Sequence, residues 1–159
     1  MPPIKRSEYL KPLSREHHYS LLFGWKLKQG INHGVAPERM VAYIAYFWPE
    51  ILLPHFEEEE RHLFYLSDTK QVLQAIDEHR TIQSLMEEAI RKPKLVTYES
   101  LKTLAESVDL HVRFEERTLF PFLEESLTTE QLMTAAAAIE ASPALGDDYT
   151  DHFWELGQQ

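Results

Sequence analysis

Two copies of one short pattern, His-x-x-x-Glu, sit on helical stripes that are otherwise apolar, and they restrict the folds open to this chain. Residues four apart on an α-helix share a face. Trp48, Leu52, His55, Glu59, Leu63 and Leu66 follow steps of four, three, four, four and three. Leu104, Val108, His111, Glu115, Leu119 and Phe122 follow the same steps. In both stripes a histidine and a glutamate interrupt a face that should turn inward. A carboxylate buried without a partner costs several kcal/mol, or it takes up a proton. Two such positions in matching register call for a compensating charge, and a metal cation supplies it economically. The competing reading turns both glutamates outward or pairs them with Arg61 and Arg117. It explains a single box better than two in register, because such charges are seldom fully buried unpaired.

The boxes belong to a weak internal repeat. His55-Phe-Glu-Glu-Glu59-Glu60-Arg61 aligns with His111-Val-Arg-Phe-Glu115-Glu116-Arg117, and Glu16-His17 and Glu78-His79 precede the two copies. The order is a helix with His, then a helix with His and Glu, twice over. Two helical hairpins related by a pseudo-twofold axis are expected. On the third helix Val72, Ile76, His79, Met86 and Ile90 share a face; on the first, Leu10, Leu13, His17, Leu21, Gly24 and Leu27 do. His18 falls instead with Lys11, Ser14, Leu22 and Trp25, a mixed face, so His17 is preferred. A lone histidine on an apolar helix is more often a core residue with a satisfied hydrogen bond. Four of them at similar depth on four helices are not what that reading predicts.

Local signals set the helix limits. Ser14 reads as the N-cap of a first helix ending near Gly30. Pro37 suits the first position of a second helix reaching about Leu66, with a kink or short break at Pro49 and Pro54. Ser67 or Asp68 caps a third helix that ends near Lys92-Pro93. Thr97 caps a fourth, running to about Ser126 with Pro121 late in it, and Thr128 with Gln131 resembles a capping box for a short fifth helix. Residues from Pro143 on read as a tail with one aromatic anchor, Phe153-Trp154, packed across the bundle end. The fold class is all-α: an antiparallel up-and-down four-helix bundle with a short C-terminal fifth helix. The whole chain, 1–159, reads as one domain, with a core over about 10–126 and a C-terminal helix and tail over 127–159.

Composition narrows the chemistry. With no cysteine, thiolate zinc sites and iron–sulfur clusters are excluded, and a metal must take nitrogen and oxygen ligands. Sixteen basic against 26 acidic residues give a net charge of −10. That argues against nucleic acid and anionic lipid as partners. The N-terminal residues show no apolar run resembling a signal peptide, and no stretch approaches the ~18 apolar residues of a membrane span. The expected location is the cytoplasm.

The remaining candidates are weaker. Glu59 and His62 have the Glu-x-x-His spacing of carboxylate bundles, but the matching position on the fourth helix is Thr118. His33 in a loop and His152 in the tail read as surface residues. Glu58, Glu60 and Glu116 are in reach of the histidines as hydrogen-bond partners, though simple exposure is the expected role.

Taken together, Ser14-Arg-Glu-His17-His, His55-Phe-x-x-Glu59-Glu60, Glu78-His79-Arg80 and His111-x-Arg-Phe-Glu115-Glu116 resemble the hemerythrin-like (HHE cation-binding) family over about residues 10–126. The resemblance implies a non-haem, carboxylate-bridged diiron centre. His17, His55, His79 and His111 would be terminal ligands, with Glu59 and Glu115 bridging; manganese and zinc also suit such donors. Glu116 keeps the spacing found in oxygen carriers and stands as the alternative to Glu115. Those carriers have two histidines four apart on the third helix, whereas here the positions four from His79 are Ala75 and Gln83. The implied function is binding or sensing of oxygen, nitric oxide or iron. The alternatives are a diiron redox enzyme of peroxidase or nitric oxide reductase type, and a structural bundle with a vestigial metal site. The oligomeric state is not readable.

Overall fold

The computed structural model describes residues 6–156, and every regular element among them is helical. Helix α1 spans Lys11–Asn32. The second rod is α2, Pro37–Phe47, followed by a π-helical turn, Trp48–Leu52, and α3, Leu53–His62. Helix α4 spans Lys70–Arg91. The fourth rod is α5, Tyr98–Phe114, then a π-helical turn, Glu115–Leu119, and α6, Phe120–Ser126. Helix α7, Thr129–Glu140, follows. The four rods form a closed ring of neighbours, α1 against α3 and α5, and α4 against α2 and α5, as an up-and-down bundle requires.

The prolines are absorbed without a break. A proline ring collides with the carbonyl four residues back, which for Pro54 is that of Glu50 and for Pro121 that of Arg117. Each carbonyl lies in a π turn, one residue wider than an α turn. The turns close by hydrogen bonds from Leu53 N–H to the Trp48 carbonyl and from Phe120 N–H to the Glu115 carbonyl. The chain therefore continues as a helix through Pro49 and Pro54, where a kink or short break was expected, and through Pro121. One wide turn precedes the first His–Glu box and the other begins at Glu115 of the second.

Several caps differ from expectation. Helix α1 begins three residues before Ser14, whose hydroxyl instead donates to Glu116 Oε2 at 2.9 Å. The helix also runs past Gly30 and stops before Gly34, whose φ of 68° supplies the left-handed residue that ends it. Thr69, not Ser67 or Asp68, precedes α4. Thr97 and Thr128 do form capping boxes, with Ser100 and Gln131.

Helices α1 and α5 make the closest pair. A β-carbon at Gly24 would lie 3.3 Å from the Ala105 carbonyl oxygen, so the small residue allows the backbone approach. Leu21, expected inside, is 39% exposed, while Ser20 and Phe23 are buried. The core divides into two apolar clusters. One holds Phe23, Tyr43, Phe47, Met86 and Leu104; the other holds Leu13, Phe64, Val72, Leu119 and Phe120, and is topped by Leu132 and Ile139 of α7. Phe153 of the tail is fully buried over Gly30, where an added β-carbon would meet Met40 Sδ at 2.6 Å and the Phe153 ring at 3.1 Å.

Candidate metal centre

Between the two apolar clusters the bundle holds a polar layer. His17 comes from α1, His55 and Glu59 from α3, His79 from α4, His111 from α5, and Glu115 from the π turn that follows it. All six are 0–3% exposed. Their donor atoms form two groups, each within 4.8 Å: His17, His55, Glu59 and Glu115, and Glu59, His79, His111 and Glu115. Both carboxylates belong to both groups. Glu115 Oε1 lies 2.9 Å from His17 Nε2, while its Oε2 lies 3.1 Å from His111 Nε2 and 3.4 Å from His79 Nε2. Glu59 Oε2 is 3.5 Å from His17 Nε2, and its Oε1 is 3.2 Å from His79 Nε2 and 3.4 Å from His55 Nε2. Each carboxylate thus reaches histidines in both halves of the layer.

The neighbours that rivalled these residues point elsewhere. His18 is exposed, and Glu116 is only half-buried. His62 is half-buried at the end of α3, His33 lies at the end of α1, and His152 is exposed in the tail, 3.2 Å from Glu155.

An outer ring of carboxylates holds the imidazoles by their other nitrogen. Nδ1–H of His55 donates to Glu16, that of His79 to Glu60 and that of His111 to Glu78, each at 2.7 Å. Glu116 faces His17 Nδ1 from 3.6 Å, beyond hydrogen-bond range. The ring obeys the pseudo-twofold relation. The glutamate just before one helix's histidine reaches the next helix's histidine, as Glu16 and Glu78 do. The glutamate just after the shared carboxylate faces the histidine of the next rod around the ring, Glu60 that of α4 and Glu116 that of α1. Phe64 stacks on His79 at 5.6 Å between ring centres, and Phe120 on His17 at 5.4 Å, in matching roles. Exposure was the expected role of Glu60 and Glu116, and the structure corrects it. Glu58, also expected to be exposed, is buried but takes no histidine; it faces Glu16 and the Ser142 hydroxyl. Glu16 and Glu78 were visible in the sequence only as the residues preceding His17 and His79.

The inner atoms are unusual for a protein interior. Nε2 of His55, His79 and His111, both oxygens of Glu59 and Oε2 of Glu115 are buried with no hydrogen-bond partner. Buried polar atoms are normally paired. With three Nδ1 atoms donating to carboxylates, Nε2 is the nitrogen left for a metal once each ring is neutral. Four imidazole nitrogens and two shared carboxylates therefore fit metal ions. Electrostatics agrees. Burial opposes charge on His17, His79 and His111, yet the surrounding glutamates hold all three above the usual histidine range. His55, also opposed by burial, is raised to about 9 by Glu59 and Glu16. Glu59 is held down at about 2: burial and the Glu115 charge push it up, and His55 and His17 outweigh them. The glutamates thus favour positive charge in the layer, whether protons or a metal would carry it.

The family model described as the Hemerythrin HHE cation binding domain matches residues 11–123, and the chain belongs to that family. No curated protein and no solved structure gives a significant match. The matched span stops before α7 and the tail.

Proposed function

We propose that the chain is a non-haem diiron protein that binds or senses a small diatomic ligand, oxygen or nitric oxide. The observation that carries this reading is the sharing of Glu59 and Glu115 between two four-donor groups. His17 and His55 would hold one iron, His79 and His111 the other, with the two carboxylates between them. Imidazole and carboxylate suit iron and manganese, and the absence of thiolate makes a purely structural zinc site less apt. Bound iron would supply the redox chemistry and the open coordination positions; the protein's share is placement and dryness. Phe56, Phe64 and Phe120 wall the layer, and Phe56 lies flat on His79 at 3.7 Å. The outer carboxylates fix which nitrogen of His55, His79 and His111 is free. Among the described residues no helix is long and apolar enough to cross a membrane.

The first test is elemental analysis of gently purified protein, and again after anaerobic reconstitution with ferrous iron. About two irons per chain are expected from the two shared donor groups. A reproducible value of zero after reconstitution overturns the reading.

A second expectation concerns pH. A metal takes neutral imidazole, so loading must expel the protons that the glutamates stabilise. His55 in metal-free protein gives up its proton near pH 9, well above the ordinary value of 6.5. Affinity should therefore climb steadily between pH 6.5 and 9, roughly tenfold per unit for each proton displaced. The opposite slope holds for the metal-free fold. The stabilisation from charged His55 is complete below pH 6.5 and is lost as pH rises through about 9. Calorimetric titration in buffers of different ionisation enthalpy counts the protons released; pH-independent affinity contradicts the ligand assignment.

A further inference from the structure

The outer ring breaks its symmetry at one point, and that point lies under α7. Three of its members have a second partner. Glu60 takes Arg80 on both oxygens, at 2.6 and 3.1 Å. Glu78 receives the Gln74 amide at 2.9 Å. Glu116 receives Ser14 at 2.9 Å and lies 3.3 Å from Arg6. Glu16 has no cation or second donor among the described residues; its neighbour is another acid, Glu58. Glu58 is 8% exposed, and its Oε2 has no hydrogen-bond partner. Among the described residues it is the one such side-chain atom that does not belong to His17, His55, Glu59, His79, His111 or Glu115. The repeat places Phe114 where Glu58 would recur, so the acid pair belongs to the His17–His55 half alone. Above it is a groove between α1 and the end of α7, lined by Glu16, His18, Tyr19, Ile139, Ser142 and Leu145 among others.

We propose that Glu16 and Glu58 form a transfer site for a divalent cation, at the foot of the α1–α7 groove, through which metal reaches His55 and the centre. This rests on the diiron reading above. The inner donors are almost fully enclosed, and a cation entering a protein loses its hydration unless oxygen ligands replace the water. Two facing carboxylates, one lining the groove and one with a free buried oxygen, provide that replacement. Glu16 also touches His55 directly, at 2.7 Å, so the site is one side chain from the first inner nitrogen. The other three outer carboxylates hold arginine, hydroxyl or amide donors and would have to release them first. Helix α7 lies outside the matched family span, so the groove is built partly from residues that the family model does not cover.

The test follows anaerobic loading of ferrous iron into metal-free full-length protein by stopped flow, with cobalt(II) as a coloured surrogate. Glu58→Gln keeps the shape but removes the charge. It should slow loading at least tenfold and leave the final stoichiometry at that of the wild type. Ala144→Trp, which fills the mouth of the groove, should slow loading as well. The exposed Glu57→Gln should load at the normal rate. Normal loading by Glu58→Gln overturns the proposal, and so does a lowered final stoichiometry, which would make Glu58 part of the resident site. If Glu58→Gln does not fold, normal loading by Ala144→Trp overturns it alone. Failure of the wild type to take up metal would instead count against the diiron reading.

Discussion

Glu115→Gln should abolish two-metal binding, and Glu59→Gln should do the same. Each side chain serves both halves of the layer, and an amide offers one oxygen where the carboxylate offers two with a charge. In the Glu115→Gln variant the new amide nitrogen would face either His17 or the His79–His111 pair, from the positions Glu115 Oε1 and Oε2 now occupy at 2.9 and 3.1 Å. Either orientation presents an N–H group to a metal position and removes half the carboxylate charge from the layer. The residue next in sequence sets the contrast. Glu116 lies 3.6 Å from His17 Nδ1 and acts only through that ring. Glu116→Gln should weaken binding by about 10–100-fold at most, the usual range for a partner of a ligand histidine. Metal content by mass spectrometry under native conditions reads both variants, with far-UV circular dichroism to establish that each is folded. If Glu116→Gln loses the metals while Glu115→Gln keeps both, the fourth-rod register proposed for the centre is wrong.

That register was legible because a helix converts spacing into direction. His55 and Glu59, or His111 and Glu115, could be assigned to the inner face from the leucines around them, and the same logic set His17 above His18. Leu21 is where spacing alone misleads. Stripe membership placed it inside, but beside Gly24, where α1 comes close to α5, the buried residue is Ser20. A contact made by the absence of a side chain leaves no apolar signal. Ser14 misled for a related reason: its hydroxyl has two uses, capping a helix or bonding a distant carboxylate, and the choice depends on a residue 102 positions away. The outer ring was only half visible. Glu16 and Glu78 lie about 100° around their helices from the histidines they precede, so they face a neighbouring rod whose identity only the folded bundle reveals. The prolines announced irregularity, while its form, a wider turn that keeps the rod continuous, came from accommodating the Glu50 and Arg117 carbonyls. Nothing in the spacing of the boxes implied that α7 would pack against α1 and α3.

Protein loaded with ferrous iron should oxidise in air and should not return under vacuum. A missing nitrogen is the reason. In oxygen carriers of the family, from which this sequence departs, a fifth histidine four residues from another on the third helix leaves one iron coordinatively full. On α4 the two positions four from His79 supply nothing of the kind. Ala75 is fully buried in the cluster with Val72 and Leu119, and Gln83 turns outward to donate to Glu87 at 2.9 Å. Each half of the proposed centre then draws two nitrogens from the protein and shares the rest, so both irons keep room for an outside ligand. Two open positions favour electron transfer to the bound gas over its clean release. Anionic oxygen donors in the layer and acids behind three of its imidazoles also stabilise the higher charge state. The measurement is optical: spectra recorded as oxygen is admitted to the diferrous protein, then removed, over repeated cycles. A stable ferric spectrum after the first exposure, reversed only by added reductant, is the expected result and suits a sensor or redox centre. Repeated recovery of the diferrous spectrum by vacuum alone would mean that Ala75 and Gln83 do not mark a missing ligand and that the protein carries oxygen after all.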